Sequence, residues 1–271
     1  MEPRPLTDAD LPRAAALSRL VGWNQMARDW ALFLRHGEGR ALDDGGEALA
    51  ATAAVIRYGR DLAWISMVLV RPDLRRRGIA TALMRWAMER LAGTRCAALD
   101  ATPAGREVYR RLGFRDAWGL ARWALPAPLP AAPGVRLVRP GDWPTLLALD
   151  AAAFGAPREA LLRDFAARCP LAAFIAEDGA GFALARDGAH GPQIGPVVAR
   201  EDATARALIA AARAALPGTP VLDLAEPRGG LAAWLAAHGA APQRPFRRMT
   251  AGDTLPGDPA LIAAVAGPEF G

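Results

Sequence analysis

The sequence contains no lysine, so all 33 of its basic residues are arginine. Together with the abundance of alanine this reflects the codon bias of a GC-rich genome, and it carries no functional meaning by itself. The excess over 28 acidic residues is five, mild for 271 residues with arginines interspersed among Asp and Glu. Cysteine is almost absent. Cys96 and Cys169 cannot build a disulfide framework and lack the spacing of a zinc site. The three histidines, His36, His190 and His238, are scattered without metal-ligand spacing, and no metal is expected. No apolar run approaches the roughly 20 residues of a membrane span. The opening MEPRPLTDAD has neither a basic nor an apolar signal region. The expectation is a soluble, cytoplasmic protein without a membrane partner. Both common glycine-rich nucleotide motifs, GxxxxGK[ST] and GxGxxG, are missing as well.

The residues that are present can bury a core: 52% are hydrophobic and only 23% charged, which excludes a disordered tail. The length suits one large domain or two ordinary ones. A proline-rich stretch, PAPLPAAPG, interrupts both helical and strand periodicity near the middle and reads as a semi-rigid linker. The residues after this linker echo those at the start of the chain. Arg4-Pro5-Leu6-Thr7-Asp8-Ala9-Asp10 returns as Arg136-Leu137-Val138-Arg139-Pro140-Gly141-Asp142, each a short strand leading to an aspartate that can cap a helix. Val68-Leu69-Val70-Arg71-Pro72-Asp73 returns as Val197-Val198-Ala199-Arg200-Glu201-Asp202, and Leu99-Asp100 as Leu222-Asp223. A repeat of this size means a duplicated domain. The predicted division is residues 1–126, a linker at 127–134, and residues 135–271.

Within the first half the pattern predicts strand, helix, helix, then strands over 47–58 and 62–70. A long helix comes next, from Ile79 to about Leu91, then a strand over 96–100, a helix over 105–112 and a last strand over 120–125. Strands that succeed one another before the long helix indicate a mixed α/β fold of the α+β type, with a mostly antiparallel sheet flanked by helices.

The chemistry concentrates in Val68-Leu69-Val70-Arg71-Pro72-Asp73-Leu74-Arg75-Arg76-Arg77-Gly78-Ile79-Ala80-Thr81. A buried strand ends at a proline, passes through a basic loop and enters a helix whose first turn holds small residues. Unpaired amides and the positive end of the helix dipole make an anion site there. Several consecutive amides suit a pyrophosphate better than a single phosphate. By itself an RRRG tetrapeptide would also serve as a solvated charge run; its place between strand and helix start favours the anion site.

This segment resembles the signature of the GNAT acetyltransferase family, in which V-x-P and then [Q/R]-x-x-G-x-[G/A] open a helix. Val70-Arg71-Pro72 and Arg75-Arg76-Arg77-Gly78-Ile79-Ala80 match every fixed position. The family's second block, N-x-x-A-x-x-x-Y-x-x-x-G-F, is matched by Tyr109 and Gly113-Phe114, with Thr102 in place of the Asn and Gly105 in place of the Ala. The resemblance covers about residues 1–125 and implies two tandem GNAT-like domains. It implies acetyl-CoA as co-substrate, with the backbone of Val68, Leu69 and Val70 along the pantetheine arm. Arg75, Arg76, Arg77, Gly78, Ile79, Ala80 and Thr81 would hold the pyrophosphate, with Thr102 also at the cofactor. Tyr109 would lie near the thioester sulfur as the acid for the leaving thiolate. The implied reaction is direct attack by a primary amine in a ternary complex.

In the second half the loop is shorter: six residues separate Asp73 from Ala80, but only two separate Asp202 from Ala205. The counterpart of the tyrosine is Trp234 or Leu235, neither of which can protonate a thiolate. A degenerate second domain is therefore expected. For the acceptor, Trp23, Asn24 and Trp30 fall where the family places its acceptor-binding helices, although Trp23, Met26 and Trp30 equally suit an amphipathic helix turned inward. Where some relatives carry a glutamate base this chain has Trp64, Ile65 and Ser66, leaving a water relay or a carboxylate such as Asp29. The expected acceptor is a small-molecule amine, with peptide or protein amines as a second class. A non-catalytic acyl-CoA-binding module is a further reading. Nucleic acid is not an expected partner, because no interleaved aromatics accompany the arginines. A monomer or homodimer is expected.

Overall fold

Two arginine–aspartate clasps, 132 residues apart, open the two repeats in the same way. Arg4 donates to both carboxylate oxygens of Asp10 at 2.8 Å, and Arg136 does the same to Asp142 at 2.7 and 2.8 Å. Each aspartate also accepts from a backbone N–H three residues earlier, that of Thr7 or Arg139, and stands at the head of a helix. Acidic groups suit that position because the first helical amides have no partners of their own.

The computed structural model describes residues 2–271 and forms two compact units. The first comprises the chain up to Leu99 with Gly188–His190 and Ala251–Asp253. Its elements are β1 (Arg4–Pro5), α1 (Leu11–Leu20), α2 (Ala27–His36), β2 (Gly37–Leu42), β3 (Ala51–Tyr58), β4 (Leu62–Val70), α3 (Ile79–Arg90) and the start of β5 (Cys96–Ala101). The sheet runs β1-β2-β3-β4-β5, antiparallel except for the parallel β4–β5 pair. Helix α2 packs on β2 and β3, and α3 on β3 and β4. Trp30, Leu32 and Phe33 of α2 and Leu83, Met84 and Ala87 of α3 are buried there. Strand β2 was not predicted because GEGRAL has little apolar pattern. Its glycine results from crowding: a Cβ at Gly37 would lie 1.9 Å from the Val55 carbonyl oxygen across the sheet.

The second unit comprises 100–187, 191–250 and 254–271. It holds the end of β5, then α4 (Pro103–Arg111), β6 (Arg115–Ala124), β7 (Val135–Leu137), α5 (Trp143–Phe154), α6 (Glu159–Arg168), β8 (Phe174–Ala176) and β9 (Gly181–Arg186). The chain continues through β10 (Gln193–Ala199), α7 (Asp202–Ala215), β11 (Val221–Ala225), α8 (Gly229–Ala237), β12 (Ala241–Gly252) and β13 (Ile262–Ala264). Its sheet runs β12-β6-β11-β13-β10-β9-β8-β7. Strand β6, the last strand of the first repeat, finds both partners in the second: it lies antiparallel between β11 and β12. For that reason the first compact unit ends at Leu99, earlier in the chain than the expected boundary at residue 126.

Buried charge ties these strands together. Arg122 of β6 donates to both oxygens of Asp223 on β11, at 3.0 and 2.8 Å, and Gln193 donates to the same carboxylate at 2.6 Å. Arg248 of β12 grips Asp100 at 2.9 and 2.8 Å and lies over the Trp118 ring. A buried pair of this kind contributes little net stability but strongly penalises loss of one partner.

The two clasps predict an acid limb. Guanidinium hydrogen bonds hold the Asp10 and Asp142 carboxyls down at about 2. A lowered carboxylate stabilises the fold above its unfolded pKa near 4, and that contribution disappears as pH falls through the folded value. Melting followed by calorimetry is expected to show a loss of Tm between about pH 4 and 2. Asp10→Asn and Asp142→Asn should each flatten part of that limb and cost about 1 kcal/mol at neutral pH, discounted because the arginines are partly exposed.

Candidate active site

Strand β4 carries a bulge. Thr52 of β3 faces Leu69 and Ala54 faces Ser66, so β4 holds one residue more than β3 over this span. The extra residue is accommodated at Met67, whose φ of 52° is uncommon for a residue with a side chain. Thr52 Oγ1 donates to the Met67 carbonyl at 2.9 Å and holds the bulge in place. On the other side of β4, pairing with β5 covers only Leu62, Ala63 and Trp64, against Cys96, Ala97 and Ala98. Beyond Trp64 the strands part, and the β5-facing edge of β4 through Val68, Leu69 and Val70 has no strand beside it in this unit. An unpaired edge can take an extended, amide-bearing ligand as an added strand.

That edge leads directly to the arginine loop. Arg71 is committed elsewhere, to Asp73 at 2.7 Å and Asp44 at 2.7 Å. Arg75, Arg76, Arg77 and Gly78 are exposed. Arg75 Nε donates to the Val70 carbonyl and Arg77 to the Asp73 carbonyl, which holds their stems over the loop. Arg76 at φ 64° and Gly78 at φ 79° are both left-handed, and turns of this kind gather consecutive N–H groups into a concavity that accepts anions. The helix ladder begins with Ala82 N–H donating to Gly78 O at 3.0 Å. The amides of Ile79, Ala80 and Thr81 therefore precede it, at the positive end of α3. A Cβ at Gly78 would meet nothing within 4 Å, so the glycine serves conformation and leaves open space for a ligand.

Thr102 and Tyr109 belong to α4, in the other unit. Thr102 caps that helix, its hydroxyl accepting from Gly105 N–H at 3.2 Å, the task an Asn performs equally well. Tyr109 is half-buried, its ring 6.3 Å from that of Phe114. Burial pushes its phenol up to about 12, which keeps the hydroxyl protonated and able to donate at neutral pH.

The expected acceptor residues prove to be largely structural. Trp30 is fully buried, its indole N–H donating to Ser18 Oγ at 3.0 Å, and it has no face to offer a ligand. Asn24 is buried as well: its side-chain oxygen accepts from His190 N–H at 2.8 Å and its carbonyl from Ala189 N–H at 2.9 Å. Of the three, only Trp23 keeps part of its surface exposed. Asp29, a carboxylate considered as base, is buried and accepts from Met26 N–H at 2.7 Å at the head of α2. Three polar side-chain groups of this unit are buried without a hydrogen-bond partner among the described residues: the Gln25 amide, the Trp86 indole N–H and the Ser66 hydroxyl beside the bulge.

The second repeat lacks these openings. Strands β10 and β11 pair at Gln193 and Ile194 and then part, as β4 and β5 do, but β13 fills the gap. Ala264 pairs with Val197 and Leu224, and Ile262 with Val198, so the edge equivalent to Val68–Val70 is already taken. Eight residues, 71–78, join β4 to α3, whereas two, 200–201, join β10 to α7. The difference is six residues, larger than the four counted from the sequence. Asp73 lies in a turn whereas Asp202 already begins the helix. Asp202 there faces Arg228 at 3.2 Å, so the head of α7 holds the protein's own carboxylate. Trp234 lies under Arg206 and beside His238 and offers no hydroxyl. Neither β13 nor the bulge at Met67 was foreseen, since both depend on distant strands.

Comparisons with known proteins agree with this geometry. A family model described as "Acetyltransferase (GNAT) family" matches residues 11–114, and one described as "Acetyltransferase (GNAT) domain" matches residues 146–262. Among solved structures, a candidate acetyltransferase from Pyrococcus horikoshii superposes with a TM-score of 0.83 at 20% identity, covering 100% of this chain and 95% of the other. A GCN5-related N-acetyltransferase from Sphaerobacter thermophilus gives 0.61 at 18% identity, covering 95% and 96%. A tandem GNAT protein from the clavulanic acid biosynthesis pathway gives 0.64 at 18% identity, covering 93% and 99%. At these identities the likeness speaks to fold alone. No curated protein matches the sequence. From the two family matches and the strand–loop–helix geometry of its first repeat, the chain belongs to the GNAT acetyltransferases, as a tandem of two such domains.

Proposed function

We propose that the protein transfers the acetyl group of acetyl-CoA to a primary amine of a small molecule, with the cofactor held by the first repeat and none by the second. The observation that carries this reading is the continuity of the unpaired β4 edge with the open amides at the head of α3. The edge suits the pantetheine amides, and the amides together with Arg75, Arg76 and Arg77 suit the pyrophosphate. In the reaction the neutral amine nitrogen attacks the thioester carbonyl, the C–S bond breaks, and the coenzyme A thiolate leaves. The family resemblance assigns to Tyr109 the gift of a phenolic proton to that sulfur; the proton lost by the amine passes to water, from which the tyrosine is reprotonated. Positioned acid catalysis of this kind contributes about 10²–10⁴-fold. No nucleic acid takes part in this reading.

A second reading, a non-catalytic acyl-CoA-binding module, is favoured by one observation: the carboxylate considered as base, Asp29, is spent on the head of α2. Thiol release from acetyl-CoA over a panel of small amines and peptide N-termini separates the readings, since binding without release supports the module.

Gly78→Glu is expected to weaken acetyl-CoA binding at least ~100-fold by calorimetry, about 2.7 kcal/mol, while the fold survives. The new side chain would put negative charge where the phosphates lie and strain the left-handed backbone. Unchanged affinity would move the cofactor site elsewhere. Tyr109→Phe is expected to lower kcat about 100-fold with little change in cofactor affinity. Because burial pushes the phenol up to about 12, kcat should rise with pH as the amine loses its proton and show no tyrosine-dependent fall below about pH 11. An alkaline limb near pH 8–9 that vanishes in Tyr109→Phe would contradict that assignment.

A further inference from the structure

Arg71 and Arg200 occupy the same place in the two repeats. Each directly follows a central strand, β4 or β10, and each donates its N–H to the residue just before the adjoining strand, β3 or β9. The distances are 2.9 Å from Arg71 to Ala50 O and 3.1 Å from Arg200 to Ala180 O. Their side chains meet different surroundings. In the first repeat eight residues, 43–50, join β2 to β3, and they lie against α1. Arg13 of α1 donates to Asp43 at 2.7 Å and to Gly46 O at 3.0 Å, and Asp44 of the same loop pairs with Arg71. In the second repeat only four residues, 177–180, join β8 to β9. Asp178 turns back to accept from Ala180 N–H at 2.9 Å, and Asp202 is held by Arg228. Among the described residues no carboxylate pairs with Arg200. The shorter connection leaves an open cleft of about 450 Å³, the size of a small-molecule site. Pro144, Ala148, Leu149 and Ala152 of α5 give it an apolar wall, and Thr145 and Arg200 are its polar side chains.

We infer that this cleft binds a small carboxylate with a short apolar tail, its carboxylate on Arg200 as that of Asp44 is on Arg71, and its tail along α5. A guanidinium presents two parallel N–H donors that match a carboxylate, and the exchange restores the pairing that the first repeat makes within the chain. A diphosphate would call for more positive charge than one arginine supplies, and a bare anion would leave the α5 wall uncovered. The site lies wholly in the second unit and stands independently of the acetyl-transfer reading.

The test titrates the intact chain with sodium hexanoate at fixed ionic strength and follows threonine methyl signals by NMR. The Thr145 signal, identified by its loss in Thr145→Ser, should shift saturably, while that of Thr52, buried in the first unit, stays put. Arg200→Gln, at an exposed position, should keep its Tm and bind hexanoate about 5–10-fold more weakly, the scale of a partly exposed bidentate pair. Arg200→Lys should regain part of that loss. Acetate, which lacks the tail, and hexanol, which lacks the charge, should each bind about fivefold or more weakly than hexanoate. The Kd for acetyl-CoA should stay within about twofold in Arg200→Gln, because the two sites share no residue. No saturable shift at Thr145, or hexanoate affinity unchanged in Arg200→Gln, would overturn the proposal. Hexanol binding as tightly as hexanoate would make the cleft merely apolar, and inorganic phosphate binding as tightly would make it a general anion site; either result overturns it. So would a loss of acetyl-CoA binding in Arg200→Gln, which would assign the cleft to the cofactor.

Discussion

Strand β4 makes too many backbone groups for its neighbours to satisfy, and the site grows from that surplus. On one side β3 accepts the strand only with an extra residue at Met67; on the other β5 accompanies it for three residues and leaves. Backbone N–H and C=O groups left without a strand partner must find water or a ligand. The loop beyond the strand adds a second set, the leading amides of α3, and packs small residues around them so that a ligand can approach.

The second repeat shows what the same architecture becomes when that surplus is satisfied internally. Strand β13 supplies the missing hydrogen bonds between β10 and β11, and Asp202 with Arg228 supplies charge at the head of α7. Residues 262–271, which include β13, are buried. Two copies of one fold thus differ in which strand edges they leave open. The second repeat also completes the strand pairing of β6. Its β11 and β12 are the partners of the first repeat's last strand, with Arg122 on Asp223 and Arg248 on Asp100 as buried ties.

Much of the site was legible in the residues because its requirements are local. A left-handed turn ahead of a helix needs glycine, close approach of a ligand needs small residues, and an anion favours arginines; Arg75 to Thr81 states all three in one stretch. For the acceptor region the residues left two readings open, a ligand contact and a helix turned inward. Trp30 and Asn24 have the residue types of a ligand contact, but whether an indole faces solvent or Ser18 is settled by packing between α1 and α2.

The sequence by itself determined the repeat, most of the element order and the glycine-bearing turn ahead of α3. Each of these rests on interactions within a few residues: the Arg4–Asp10 and Arg136–Asp142 clasps, the alternation of the strands, the glycine at 78. Only the tertiary structure decided which strand edges stay open. Hydrogen bonding between strands joins residues far apart in the chain, and a gap at β4 or a plug at β10 depends on whether a distant segment such as 262–264 arrives to fill it.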